Sequence, residues 1–456
     1  MPCTLPEPQK RQQIDQNPDK GEDILPAIIF LGTLKSGSSR DALRAAKKMG
    51  FYTILLTDRK SHLDQCDEFP EVHEMLLCDL HSLQEIRINI IKIKLRLIEV
   101  AAIVSFTEAH CLSACLMADE FGLNRFTCHA IKNMKNKIIS REIISATDYS
   151  PGYMVISAQT RLTDIEPVIT FPYPFILKSP NSTGSADVFK IHNLQELNYY
   201  SRLLKNRHPL ESVLIEQMLD GPQYLIEVLV HDNKVRIAAV IEQEVTFFKR
   251  FIITGYNLLL ELPQDIRDLP QAVAEIVRAH GMETGACHLE MRHVNQQWKL
   301  IEINPRISGG AMNKLIYWGL GIDLAAETIK LALGEEPDLR PLYRRHIFVQ
   351  YRTVAQSGRL DKVTGMRRAL RSEGVLEVFV KPRQGALLKP PLSMGNRYAY
   401  VIATGSSEAE ARLNAKTAAM KIQFWLSIDH PVITQKPDQA LIRPNSHNAA
   451  RFHHAL

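Results

Sequence analysis

Glu302, Asn304 and Arg306 occupy alternate positions in the run 299–306, which reads Lys-Leu-Ile-Glu-Ile-Asn-Pro-Arg. Side chains alternate between the two faces of an extended strand. These three therefore share one face, and Ile301 and Ile303 share the other. The run 287–292, Cys-His-Leu-Glu-Met-Arg, repeats the arrangement and offers Glu290 from a neighbouring strand. Two carboxylates and an amide oxygen would then converge on one point. Hard oxygen donors suit Mg²⁺, which keeps several waters and is completed by substrate phosphates. Arg306 beside them suits a phosphate or carboxylate oxygen. This is the chemistry of an ATP site, and a buried ion-pair network is the bland alternative.

Other candidates are weaker alone. Lys178 closes the apolar run 175–178, just before a Ser/Thr/Gly loop that contains Gly184 and Ser185. Backbone N–H groups in such a loop can cradle phosphates, and the lysine adds charge. Gly184 supplies the backbone freedom a closing loop needs. Lys137 and Arg141 lie one helical turn apart, which by itself describes a solvated basic face. Glu216 sits on an apolar strand, 214–219, and needs a partner there, either a ribose hydroxyl or a core lysine. Ser308, Gly309 and Gly310 follow Arg306 closely. They could hold a substrate carboxylate or form a tight turn into the next helix.

These residues need a scaffold. Strands at 27–32, 51–57 and 101–105 alternate with helices, which implies a parallel sheet. The loop at 32–37 is not G-x-G-x-x-G, so a dinucleotide site is a weak reading. A helix is expected over 131–145, a hairpin over 224–242, a helix over 269–280, and a helix over 322–333 ended by Gly334. After Pro341 a smaller α+β module begins, with a strand at 398–405 and a helix from Ser407.

Composition sets bounds. The chain has 456 residues, 45% hydrophobic and 23% charged, with a net charge of +5. That is ordinary for a globular protein of about three domains. No long basic run suggests nucleic acid, and no apolar run suits a membrane helix. The seven cysteines include no C-x-x-C pair. Cys111 and Cys115 are expected as buried free thiols in a reducing cytoplasm.

The order of these motifs resembles the ATP-grasp superfamily, in its carboxylate–amine ligase and biotin carboxylase branch, over roughly residues 25–430. The Glu-Ile-Asn-Pro-Arg stretch is its most specific element, and 397–405 resembles the C-terminal module of such ligases. The resemblance implies an α/β and α+β multidomain ATP-grasp fold. It would comprise a disordered lead (1–23), an N-terminal parallel-sheet domain (24–130), a linker helix and lid (131–220), a large lobe with the metal site (221–340), a small C-terminal module (341–430) and a flexible tail (431–456). It further implies that Lys137 and Lys178 contact ATP phosphates, and that Gly184 and Ser185 close on them. Glu216, Gln217, Met218 and Leu219 would read adenine and ribose. Glu290, Glu302 and Asn304 would hold Mg²⁺, as two ions, with Mn²⁺ as a substitute. Arg306 would be the catalytic arginine on the transferred phosphoryl group. Asn136, Ala186-Asp187 and Gln217 depart from the usual pattern. The implied reaction activates a small carboxylate, an amino acid, as an acyl phosphate and joins it to an amine. Its partners would be small-molecule carboxylates and amines, with neither nucleic acid nor membrane. A homodimer and a carrier-bound acceptor fit the same family. A biotin carboxylase-like or carrier-loading ligase and a non-catalytic ATP-binding protein are the alternatives.

Overall fold

The computed structural model describes residues 25–160, 169–181, 184, 187–247 and 250–427. The expected lead at 1–23, the tail at 431–456 and Ser185 lie outside the described residues.

Strands β1 (Ala27–Leu31), β2 (Tyr52–Thr57), β3 (Glu74–Leu77) and β4 (Val100–Val104) form a parallel sheet in the order β3-β2-β1-β4. All five residues of β1 are buried. A continuous apolar run is what a parallel strand covered on both faces requires. The helix Ser38–Lys48 follows β1 and takes Gly37 as its N-cap at φ 86°.

The helix expected over 131–145 is in fact two, Cys128–Lys135 and Lys137–Ile144. Asn136 is extended between them, and its side chain accepts from the backbone N–H groups of Ile138 and Ile139. Asparagine is among the best N-caps, and here it starts a new helix where periodicity alone reads straight through. The break makes Lys137 the first residue of the second helix.

A second, antiparallel sheet contains β5 (Tyr153–Ile156), β6 (Phe175–Lys178), β7 (Val188–Ile191) and β8 (Val213–Gln217) in the order β5-β8-β6-β7. Phe175, Leu177, Phe189 and Ile215 pack against Leu197 and Leu204 of the helix Leu194–Arg207.

The large sheet begins with β9 (Gln223–His231), β10 (Lys234–Phe247), β11 (Phe251–Leu259), β12 (Gly285–Val294) and β13 (Gln297–Asn304). The expected hairpin joins β9 to β10 through Asp232 and Asn233 at φ 48° and 65°. Both residue types tolerate that left-handed conformation, and two such residues match the twist of the flanking strands.

The later strands are β14 (His346–Arg352), β15 (Gly358–Thr364), β16 (Val375–Val380), β17 (Leu387–Leu388), β18 (Ala399–Gly405) and β19 (Gln423–Ser427). Of these, β14, β18 and β16 extend the large sheet, giving the order β13-β12-β9-β10-β11-β14-β18-β16. β14 pairs directly with β11 through Gly255, Tyr256 and Asn257. Without it β11 would present a bare edge. Only β17, β15 and β19 form a separate small sheet.

Cys111 is a buried free thiol as expected, but Cys115 is not, because it is bonded to Cys128. The turn over 121–127 folds the start of the helix Cys128–Lys135 back onto the helix Cys111–Glu120, so residues 13 apart in sequence meet with Cα atoms 5.7 Å apart. Sequence spacing gave no sign of that approach, and the pair removes the cysteine argument for a reducing compartment. No helix among the described residues is long and apolar enough to cross a membrane.

Candidate active site

β12 and β13 run antiparallel in a register that sets Glu290 opposite Glu302 and His288 opposite Asn304. The register shifts just beyond Glu290, leaving Ile301 without a ladder partner on β12. Its carbonyl instead accepts from Arg141 Nη2 at 2.5 Å. A bulge thus turns a ladder oxygen into a socket for a buried guanidinium.

The two facing carboxylates behave differently. Burial, and then the charge of Glu302, push Glu290 up to about 7. Burial also opposes ionisation of Glu302, but Lys137 and Lys178 outweigh it and hold Glu302 below the usual carboxylate range. Lys137 Nζ lies 3.1 Å from Glu302 Oε1. Two facing acids that cannot both ionise cheaply are a donor pair in need of a cation.

Asn304 is buried, and its amide nitrogen meets His288 Nε2 at 3.2 Å. His288 Nδ1 lies 2.8 Å from the Arg306 carbonyl. Burial and the Arg306 charge push His288 down to about 3, so its ring is neutral. With its one proton on Nδ1 for the carbonyl, Nε2 must accept from Asn304. This directs the Asn304 amide N–H toward His288 and leaves Oδ1 for a ligand. Glu290, Glu302 and Asn304 therefore fit a divalent cation. Among the described residues no three His, Cys, Asp or Glu side chains cluster as a metal site, so phosphate and water oxygens would have to complete the shell.

Beside these residues lies a cleft. Ile176, Val188, Met218, Leu219 and Phe251 form its apolar walls, and Gln217 lines it too. Lys137, Lys178, Glu290 and Glu302 form its charged end. An apolar cleft ending in lysines and carboxylates suits a purine nucleotide with its phosphates on metal. Glu216 Oε1 accepts from Arg141 at 2.6 Å and Oε2 from Lys178 at 2.6 Å. The structure thus gives Glu216 a core lysine as partner, together with an arginine. Its carboxyl is held below the usual range because these two cations outweigh the opposing effect of burial.

Arg292 was missed by sequence reasoning, although it shares the face of Glu290 two residues away. Its guanidinium donates to the Leu219 carbonyl at 2.9 Å and to Gln223 Oε1 at 3.1 Å. It fixes the segment that carries Met218 and Leu219.

A second cavity opens at Arg306. β13 ends at Asn304, and Arg306 turns away from the nucleotide cleft to line this cavity with Glu108, His110, Asp58, Arg59 and Lys135. Arg306 Nη2 lies 2.8 Å from Glu108 Oε2. The loop at 32–37, unremarkable as a dinucleotide motif, is a wall of this cavity: Gly32, Thr33, Leu34 and Ser36 all face it. Gly184, Gly309 and Gly310 line it as well.

The loop after Arg306 is pinned from two sides. The Ser38 hydroxyl donates to the Ser308 carbonyl. Ser308 donates through both N–H and hydroxyl to Glu227, which is fully buried and pushed up to about 7 by that burial. A Cβ at Gly37 would stand 2.9 Å from the Gly310 nitrogen, and Gly37 is at φ 86°. Gly37→Ala is therefore expected to lower stability by about 1–3 kcal/mol, read by denaturant unfolding, and to loosen this wall of the cavity.

Comparison with known proteins agrees with the geometry. Residues 171–314 match the model of the ATP-grasp domain, and residues 350–427 match the L-amino acid ligase C-terminal domain 2. The crystal structure of an L-amino acid ligase from Bacillus licheniformis superposes with a TM-score of 0.75 at 18% identity, covering 88% of this chain and 99% of that one. An uncharacterized protein of Sinorhizobium fredii is 25% identical over 342 residues, 72% of this chain and 69% of that protein. Human carnosine synthase 1 is 24% identical over 260 residues, and the chain spans only 31% of its length. The chain thus carries an ATP-grasp domain over 171–314 and an L-amino acid ligase C-terminal domain 2 over 350–427, on a fold shared with the Bacillus licheniformis L-amino acid ligase.

Proposed function

We propose that this protein is an ADP-forming ligase that activates an amino acid, or a similar small carboxylate, as its acyl phosphate and joins it to an amine. The observation that carries the reading is the arrangement of two cavities on either side of one charged seam. The nucleotide cleft ends at Glu290 and Glu302, and the second cavity begins at Arg306. The Arg306–Glu108 pair places a cation and an anion 2.8 Å apart on the wall of that cavity. A zwitterionic amino acid can satisfy both, its carboxylate toward Arg306 and its ammonium toward Glu108.

ATP would lie with its base between Val188, Met218 and Phe251 and its phosphates at Lys137 and Lys178. A divalent ion held by Glu290, Glu302 and Asn304 supplies counter-charge to the phosphate oxygens, with Mn²⁺ able to stand in for Mg²⁺. The substrate carboxylate oxygen attacks the γ-phosphorus, and the bond to the β-bridging oxygen breaks, releasing ADP. Arg306 steadies the resulting acyl phosphate. The amine then attacks the acyl carbon, phosphate leaves, and the nitrogen gives up a proton. The chain's part is to position two anions against each other, screen their repulsion and keep water away from the intermediate.

The test is ADP and phosphate release with Mg²⁺-ATP across amino acids supplied singly and in pairs, with product identified by mass. Release that requires a particular pair and yields its amide supports the reading. Bicarbonate-dependent release with no amide would instead place the enzyme with the carboxylases. ATP binding without release under any pair would point to a carrier-bound acceptor or to a non-catalytic nucleotide-binding protein. Chelation by EDTA is expected to abolish release, and Mn²⁺ to restore it.

A further inference from the structure

Arg397 comes from the C-terminal segment, just before β18, and its half-buried guanidinium packs against tyrosines of the large sheet. Its carbon lies 4.0 Å from the Tyr351 ring centroid and 5.6 Å from that of Tyr256. Nη1 donates to the Tyr256 hydroxyl at 2.9 Å and to the Ile253 carbonyl at 3.2 Å, and Nε donates to the Met394 carbonyl at 3.3 Å. Every one of these acceptors is neutral. Arg141, Arg306 and Arg40 have carboxylates, in Glu216, Glu108 and Glu71, whereas Arg397, like Arg292, donates only to neutral groups among the described residues.

The surroundings say where the missing anion belongs. A Cβ built on Gly310, a residue of the second cavity's wall, would lie 3.8 Å from Arg397 Nη2. Glu290, at the charged end of the nucleotide cleft, is a carboxylate whose charge reaches Arg397. One turn before Arg397, the Met394 N–H donates at 3.2 Å to the carbonyl of Gly184, which lines the second cavity. The Tyr351 hydroxyl, under the same guanidinium, accepts from the Ala311 N–H at 3.0 Å. A cation fixed by aromatic faces and neutral oxygens is pre-organised for a charge that arrives only with the substrates.

Resting on the ligase reading above, we infer that Arg397 is a second catalytic arginine, donated by the C-terminal segment, whose free Nη2 binds the phosphoryl group as it passes from ATP to the substrate carboxylate. Arg397 exchanges no proton. As the carboxylate oxygen bonds to phosphorus and ADP departs with the electron pair of the broken P–O bond, negative charge accumulates on the phosphoryl oxygens, and the guanidinium meets it. The C-terminal segment thereby becomes part of the active site, and Met394 ties it to Gly184.

The experiment compares wild type with Arg397→Gln, Arg397→Lys and Arg397→Ala in the full chain, using the amino-acid pair that supports turnover. Nucleotide binding is followed separately by thermal stabilisation with Mg²⁺-ADP. Arg397→Gln is expected to lower kcat at least 100-fold while Mg²⁺-ADP binding stays within about threefold. Arg397→Lys should recover part of the rate, and guanidinium ion added to Arg397→Ala should restore turnover in a saturable way. A merely structural arginine would show no such rescue. Turnover by Arg397→Gln within threefold of wild type overturns the inference. So does a folded Arg397→Lys that matches Arg397→Ala in rate, with no response of the latter to guanidinium. If wild type itself turns over no pair, the ligase reading fails first, and that outcome is distinct from an active wild type with an equally active Arg397→Gln.

Discussion

Glu302→Ala is expected to abolish carboxylate-dependent ADP release while leaving a folded protein. Glu302 joins three features of the site. It faces Glu290 across the β12–β13 ladder, it lies 3.1 Å from Lys137 Nζ, and it closes the charged end of the nucleotide cleft. Its removal takes one of only two carboxylates from the cation site and leaves Lys137 without that counter-charge. A loss of about 10³-fold or more in kcat/KM is expected, corresponding to about 4 kcal/mol of transition-state stabilisation. The side chain is 24% exposed, so the fold should tolerate the change. A thermal melt close to wild type with turnover lost bears this out. Activity retained within tenfold would move the cation site elsewhere.

The largest stability effect is expected at Glu216. Its two oxygens hold Arg141 and Lys178, and all three side chains are buried. Glu216→Ala leaves two cations without their anion in a low-dielectric site. Breaking a buried pair in this way costs about 3–5 kcal/mol. The double change Lys178→Met with Glu216→Gln should be less harmful to stability than Glu216→Ala, although it should abolish activity. Denaturant unfolding of the variants settles the order. The pair also sets a pH dependence. The folded protein holds the Glu216 carboxyl below its ordinary range, so the unfolded chain takes up a proton there first as pH falls. The contribution is full at neutral pH and is lost as pH drops through the folded-state value. Glu216→Gln should flatten that part of the acid unfolding curve.

Much of this site was legible because strand periodicity carries it. Glu290, Glu302 and Asn304 alternate with apolar residues, and a period of two leaves little freedom about which face they share. Arg306 marks where the rule stops. Pro305 ends the strand, and the side chain beyond it enters a different cavity. The break at Asn136 was hidden for a related reason, since apolar spacing runs on through a residue whose side chain caps a new helix. Contacts between distant segments were not legible at all. Nothing local in Cys115 and Cys128, Arg306 and Glu108, or Arg397 and Tyr256 announces the partner, because each meeting depends on how separate elements pack. The second cavity lies at the junction of the loops at 32–36, 58–59, 106–110 and 306–310, so no single stretch of sequence describes it.

The pairing of β14 with β11 bears on how such enzymes can be recombined. A cut near residue 341 looks convenient on paper, but it severs a continuous eight-stranded sheet and uncovers the hydrogen-bonding edge of β11. A shortened chain would be inclined to satisfy that edge with another copy of itself. A chimaera meant to transplant the C-terminal segment from one ligase to another would need to carry β11 and its neighbours along. The smallest interchangeable cassette is therefore the whole sheet together with the chemistry built on its other end.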